Sequence, residues 1–360
     1  MKIILDVMSG DNAPLELIKG AVDAAKEYHV NISIVGDESV IRSISLEHKL
    51  DISSLDIVHA GNVITMEDAP LSVVRGKTDS SMSIGLHMLA NGEGDAFVSA
   101  GNTGALLAGA TLIVRRIKGV HRAGIASVLP LANPVLLMDS GANLEVTPQD
   151  LEQFAFMGAK YMERILGVSD PRVGLLNNGT EPTKGLELQR EAFRQLSHSD
   201  VNFVGNVEGK EIPQGVCDVV VTDGFTGNIL LKTVEGMGKF MSKTLTSMFK
   251  KGIGSILAYL LLKKEVKALK RRMNASEYGG APFLGISKPV IKAHGSSDAL
   301  AIKNAIRQAI RFTESELNRE IALYAIDFDA RMKERKRALT EAEKAQAREE
   351  RLAKKRKPND

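Results

Sequence analysis

Small polar residues set between glycines at a strand–helix junction are the chemistry-bearing feature of this sequence. Asp95-Ala-Phe-Val-Ser99 closes an apolar run, Ala100-Gly101-Asn102-Thr103-Gly104 follows, and an apolar helical pattern starts near Ala105. The first N–H groups of a helix have no partner inside it and attract anions, and glycine lets main chain approach one closely. Ser99, Gly101, Asn102, Thr103 and Gly104 are therefore candidate phosphate ligands; alone, the same pattern also describes an ordinary, well-capped junction. Asp218-Val-Val-Val-Thr222-Asp223-Gly-Phe-Thr226-Gly-Asn228 repeats the design and adds Asp223, Thr226 and Asn228. A third strand runs into Asp139-Ser-Gly-Ala-Asn143. A fourth, Arg172-Val-Gly-Leu-Leu, runs into Asn177-Asn-Gly-Thr-Glu-Pro-Thr-Lys184-Gly. A cation near a helix start opposes the dipole and needs another reason to be there. Lys184 is thus the strongest single candidate for a working side chain. Arg75 and Lys77, in a hydroxyl-rich turn, read equally as phosphate partners or as a solvated face. His294, in His-Gly-Ser-Ser297, is a candidate for polarising a carbonyl or touching phosphate, beside a structural role.

Positioning these turns is the task of strands that alternate with helices. Lys2–Asp6, Asn31–Gly36, Leu55–His59, Gly124–Pro130, Val135–Asp139 and Phe203–Gly205 read as strands. Helices are expected at 15–25, 38–46, 148–165 (with Thr147 as N-cap) and 299–326. This alternation implies an α/β fold, three layers αβα around a mostly parallel sheet, with all the polar turns along one carboxyl edge. Two of the turns would then face each other across a cleft.

Bulk properties narrow the class. The 360 residues include 44% hydrophobic side chains, 32 Gly and no Trp, which suits an enzyme with many tight turns. One cysteine, Cys217, excludes a disulfide framework and a thiolate metal cluster, and its place at a Val-rich strand favours inert packing over reactivity. Met1 leads directly into a strand, so no signal peptide is expected and a cytoplasmic setting fits. The net charge of +3 hides two basic patches: residues 250–272 carry eight Lys and Arg against one Glu, and 331–360 carry twelve against six acidic residues. The remaining body is acidic. Such patches suit an acidic partner or an anionic membrane. Nucleic acid is not expected, because no aromatics interleave in the tail, which reads as a solvated helix or disordered.

Ile253, Ile256, Leu257, Leu260 and Leu261 fall on one helical stripe bracketed by lysines. The stretch is too short to span a bilayer, which needs roughly 20 residues. A helix lying in the membrane interface fits, as does one packed on the body or in a dimer seam.

Taken together, Asp6-Val-Met-Ser-Gly-Asp11, Arg75-Gly-Lys77, Ser99–Gly104, Asp139–Asn143, Asn178–Lys184-Gly, Asp223–Asn228 and His294–Ser297 give a close resemblance over about residues 1–330 to the bacterial phosphate acyltransferases of phospholipid synthesis. The resemblance implies a fold like that of phosphotransacetylases and, more distantly, isopropylmalate-type dehydrogenases. It implies acyl transfer from long-chain acyl-carrier protein to inorganic phosphate, giving acyl phosphate, with no cofactor and no metal. It also implies a homodimer attached reversibly to the inner face of the cell membrane through an amphipathic hairpin at about 240–275. A downstream glycerol-3-phosphate acyltransferase is a further candidate partner. In this picture residues 1–330 form the catalytic body, the basic tail 331–360 inherits no role, and Lys184 and Asn228 are catalytic. A short-chain phosphotransacetylase using coenzyme A and a non-catalytic membrane scaffold for lipid enzymes are the alternatives. A metal-dependent hydroxyacid dehydrogenase is disfavoured, since Asp139, Asp218 and Asp223 are scattered over strand ends and no strand-linked G-x-G-x-x-G appears.

Overall fold

A computed structural model describes residues 1–131, 133–249, 252–272 and 279–334. The first half runs β1 (Lys2–Asp6), α1 (Leu15–Tyr28), β2 (Asn31–Gly36), α2 (Glu38–Glu47), β3 (Leu55–His59), α3 (Ser81–Asn91), β4 (Ala96–Ser99) and α4 (Thr103–Gly109). A π-helical turn, Ala110–Val114, continues α4. Then come β5 (Gly124–Leu129), β6 (Val135–Met138), α5 (Pro148–Leu166), β7 (Arg172–Asn177), α6 (Glu187–Leu196), β8 (Asn202–Glu208), β9 (Val219–Val221) and α7 (Gly224–Met248). The chain continues through α8 (Ile253–Leu261), α9 (Lys263–Arg272), β10 (Ala281–Leu284), β11 (Val290–Lys292) and α10 (Ala299–Glu314). The helix expected over 299–326 breaks at Ser315 and Glu316, the latter with φ of 53°, and resumes over 317–334. The tail from 335 onward lies outside the described residues.

All eleven strands form one sheet in the order β3-β2-β1-β4-β11-β10-β5-β6-β9-β7-β8. Pairing is parallel from β3 to β11 and again from β6 to β8. The three central pairings, β11–β10, β10–β5 and β5–β6, are antiparallel. Three reversals leave the two parallel halves running in opposite directions. Their carboxyl ends therefore emerge on opposite edges, not on the single edge that strand–helix alternation suggested. The reversal has no signature in periodicity, because an antiparallel strand buried on both faces reads as the same apolar run.

Helices cover both faces. On one, α1 and α10 pack over β1, β4 and β11, and α5 over β6 and β9, around a core that includes Leu5, Ile18, Val98, Phe154 and Ile306. On the other, α3 and α4 bury Leu86, Leu106 and Phe97, while Leu230, Leu231 and Val234 of α7 lean on Leu137 and Val220. Most of α7 stays open: Phe225, Ile229, Met237, Phe240, Met241 and Met248 are exposed.

Candidate active site

Three strand ends meet on the first edge. The turn after β1 holds Ser9–Asn12, the turn after β4 holds Ala100–Gly104, and His294–Ser297 follow β11. They are laced together: Asp11 N–H donates to the Gly295 carbonyl at 2.8 Å, and Asn12 Nδ2 donates to the Ser296 and Ser297 carbonyls at 3.1 and 3.2 Å. Ser99, fully buried, donates its hydroxyl to Asp6 Oδ2 at 2.8 Å and accepts from Gly101 N–H at 3.1 Å. Its side chain thus shapes the turn from behind.

Asn102 caps α4 through Oδ1, which accepts from Ala105 N–H at 3.1 Å. Its amide nitrogen donates to the carbonyls of Thr65, Met66 and Asp68, each at 3.2 Å. That side chain holds the 65–68 loop instead of reaching outward. Lys77 braces the same loop, with Nζ 2.7 Å from Asp68 and 3.1 Å from the Val63 carbonyl. The hydrogen bond from Lys77 holds the Asp68 carboxyl below the usual carboxylate range. Arg75 is exposed nearby. The main-chain N–H groups of Asn102, Thr103 and Gly104 have no acceptor among the described residues. Unpaired donors at a helix start can receive an anion.

His294 accepts from Ser296 N–H through Nδ1 at 3.2 Å, which leaves Nε2 carrying the ring proton. Partial burial, with Lys232, Lys292 and Lys239 nearby, holds its pKa below the ordinary value against the pull of Glu235. Lys292 at the end of β11 escaped the sequence reading. Its Nζ donates to the Ala100 carbonyl at 3.3 Å and to the Ala293 carbonyl, and burial lowers its pKa to about 8. A cation terminating an otherwise apolar strand, two positions before His294, was the available signal.

The opposite edge carries the other candidates. Asp139, fully buried, accepts from the N–H groups of Ile125, Gly141, Ala142 and Asn143 and from Asn143 Nδ2 at 2.7 to 3.2 Å. Five N–H groups aimed at one carboxyl require an acceptor. Burial pushes its pKa up, and the hydrogen bonds draw it back part of the way. The Ser140–Asn143 turn is therefore filled by the chain's own Asp139 and has no amides left for a ligand. Asp223 caps α7, accepting from Thr226 N–H and hydroxyl, both at 2.8 Å. This pair shapes the helix start. At Gly227 a Cβ would lie 1.9 Å from the Asp139 carbonyl oxygen, so only glycine lets α7 rest on this turn.

Asn228, exposed, packs its side chain over Gly141. Lys184, also exposed, lies in the turn after β7, where a Cβ on Gly179 would stand 2.8 Å from its Cγ. Lys184 has no salt-bridge partner among the described residues. The structure brings Lys184 and Asn228 to one edge and the Ser99–Gly104 turn to the other. No contact joins Lys184 to that turn. The link is α7, which starts beside Asp139 and one turn beyond Asn228 carries Lys232 into electrostatic reach of Lys292.

Comparison with known proteins adds the family. A family described as "Fatty acid synthesis protein" matches residues 1–320. A phosphate acyltransferase of Thermoanaerobacter pseudethanolicus is 46% identical over 88% of this chain and 95% of its own length. One from Fusobacterium nucleatum is 46% identical over 89% of this chain and 98% of its own length. Among solved structures, a phosphotransacetylase from Streptococcus pyogenes shares the fold, with a TM-score of 0.59 at 17% identity over 87% of this chain and 94% of that one. The chain belongs to the fatty acid synthesis protein family, alongside bacterial acyltransferases that bear the name phosphate acyltransferase.

Proposed function

We propose that this protein transfers a long-chain fatty acyl group from an acyl-carrier-protein thioester to inorganic phosphate, releasing acyl phosphate and the carrier thiol. One observation supports the reading beyond the family: the amides of Asn102, Thr103 and Gly104 have no acceptor among the described residues, unlike those of the Ser140–Asn143 turn, which Asp139 fills. A thioester is already activated, so the reaction needs the phosphate held near the carbonyl carbon and the developing oxyanion stabilised. In this reading the amides hold phosphate, and Lys184 and Asn228 supply charge and a hydrogen bond to the oxyanion from the other edge, which requires the two edges to close on the bound substrate. Arg75 and His294 are secondary contacts in this reading. The acyl product feeds phospholipid synthesis, with a glycerol-3-phosphate acyltransferase as a downstream partner.

The exposed apolar residues of α7 support a homodimer, with a second copy covering Phe240 and its neighbours. Leu257, Leu260 and Leu261 of α8 are exposed between lysines, which supports reversible attachment to an anionic membrane. Among the described residues no helix is long and apolar enough to cross one. Ile253 and Ile256 lie on the same helix.

The test is turnover of purified protein with palmitoyl-carrier thioester, against palmitoyl-coenzyme A and acetyl-coenzyme A, with phosphate as acceptor. Acyl phosphate forms fastest from the carrier thioester. Lys184→Ala and Asn228→Ala each lower kcat by roughly 10²–10³, the usual cost of one oxyanion donor. Preference for acetyl-coenzyme A, or near-normal rates in both variants, overturns the reading.

A further inference from the structure

Asp6, Ser99 and Lys292 lie on one register line across three adjacent strands, Asp6 opposite Ser99 and Ser99 opposite Lys292. Lys292 Nζ bends to the Ala100 carbonyl, while Ser99 Oγ, itself fixed by Asp6, takes the Gly101 N–H. The Ala100–Gly101 peptide is thereby pinned at both its oxygen and its N–H. It is the last such pinned peptide before the free amides of 102–104, so its tilt sets theirs. Ser9, 2% exposed, adds a hydroxyl with no hydrogen-bond partner among the described residues, packed against Gly101 at the same place. An ammonium has three donors. Two are used, and no third acceptor for Lys292 occurs among the described residues.

Holding a charge here is costly, since burial works against the ammonium and Lys232 of α7 adds to the cost, while Asp6 of β1 and Asp11 of the following turn favour it. His294, two residues on, is the other titratable neighbour. Packing alone would be served better by an uncharged side chain of the same length.

Resting on the reading of the Ser99–Gly104 turn as the phosphate seat, we propose that Lys292 is a positioning residue for that seat: its ammonium fixes the Ala100 carbonyl so that the amides of 102–104 face the anion, and its charge adds to theirs. The proton on Lys292 then gates anion affinity. Its charge is present below a pH of about 8 and lost above it.

Sulfate, a dianion across the whole range, is the probe, because orthophosphate titrates in the same window. Binding of labelled sulfate is measured by equilibrium dialysis for the unaltered protein, Lys292→Met and Lys292→Arg, with folding checked by circular dichroism. Lys292→Met weakens sulfate roughly 10- to 100-fold, the range expected when a charged hydrogen bond is lost, and Lys292→Arg restores most of it. Sulfate affinity of the unaltered protein falls as pH rises through about 8, whereas that of Lys292→Arg does not. Equal affinity in Lys292→Met, or parallel pH profiles for the unaltered protein and Lys292→Arg, overturns the proposal. The Arg arm decides the matter even where the Met variant does not fold. Turnover on the same samples separates the two ideas: with Lys292 acting on the seat, the phosphate KM rises while the carrier-thioester KM holds. If sulfate binding depends on Lys292 but no acyl phosphate forms, the functional reading fails and the positioning role stands.

Discussion

Asp139 shows how one carboxyl group decides what a turn is for. Its partners are four main-chain N–H groups and one side-chain amide, all partly or fully buried. Substituting Asp139→Leu leaves those donors unanswered in the interior. At about 1–3 kcal/mol for a buried orphan, and with some donors recovering water, the loss is on the order of 3–5 kcal/mol. Chemical denaturation measures it as a lower midpoint at unchanged slope. Asp139→Asn, which keeps an acceptor oxygen, loses less. Residue types announced that Asp139 and Ser99 were special, but not which way each faces. Asn102, Lys77, Asp223 and Thr226 were legible as polar turn residues, yet their atoms are spent on the loop at 65–68 and on the start of α7.

Among the elements, α7 and α8 depart most from globular habit. A helix of 25 residues has only Gly224 and Gly227 fully buried, with Leu230, Leu231 and Val234 partly buried against the body. α8 presents Leu257, Leu260 and Leu261, exposed by 57%, 60% and 84%, and Lys263 and Lys264 begin the next helix. The pair Leu257→Glu and Leu261→Glu removes apolar area and adds negative charge on the same stripe. The double variant stays in the supernatant when floated with anionic vesicles, while the unaltered protein rises with them. Helix positions here were readable from the 3.6-residue period, and so were the ends of α5, where Thr147 caps and Pro148 starts the helix. Strand direction was not readable: β5, β6 and β10 are apolar runs whose polarity in the sheet is set by loop length and packing, not by side-chain pattern.

At the scale of the whole molecule, the layered α/β architecture and the family were legible, because seven short motifs in fixed order are specific where each alone is weak. The arrangement of the motifs in space was not, since three antiparallel pairings at the centre of the sheet place them on two edges. Charge adds a long-range property. The basic residues of 250–272 and 331–360 sit on an otherwise acidic chain, and under the proposed function an acidic carrier protein would be drawn to them. The carrier-thioester KM rises several-fold between about 50 and 300 mM salt as screening sets in. The KM for phosphate changes less if, as proposed, short contacts to main-chain amides hold that anion. A carrier KM indifferent to salt removes the patches from carrier recognition.

Because the Ser140–Asn143 loop is permanently occupied by a tethered guest, it is deaf to dissolved oxyanions at any concentration. Asp139 keeps this look-alike berth locked, so competing inorganic salts find one mooring fewer than the repeated turn design suggests.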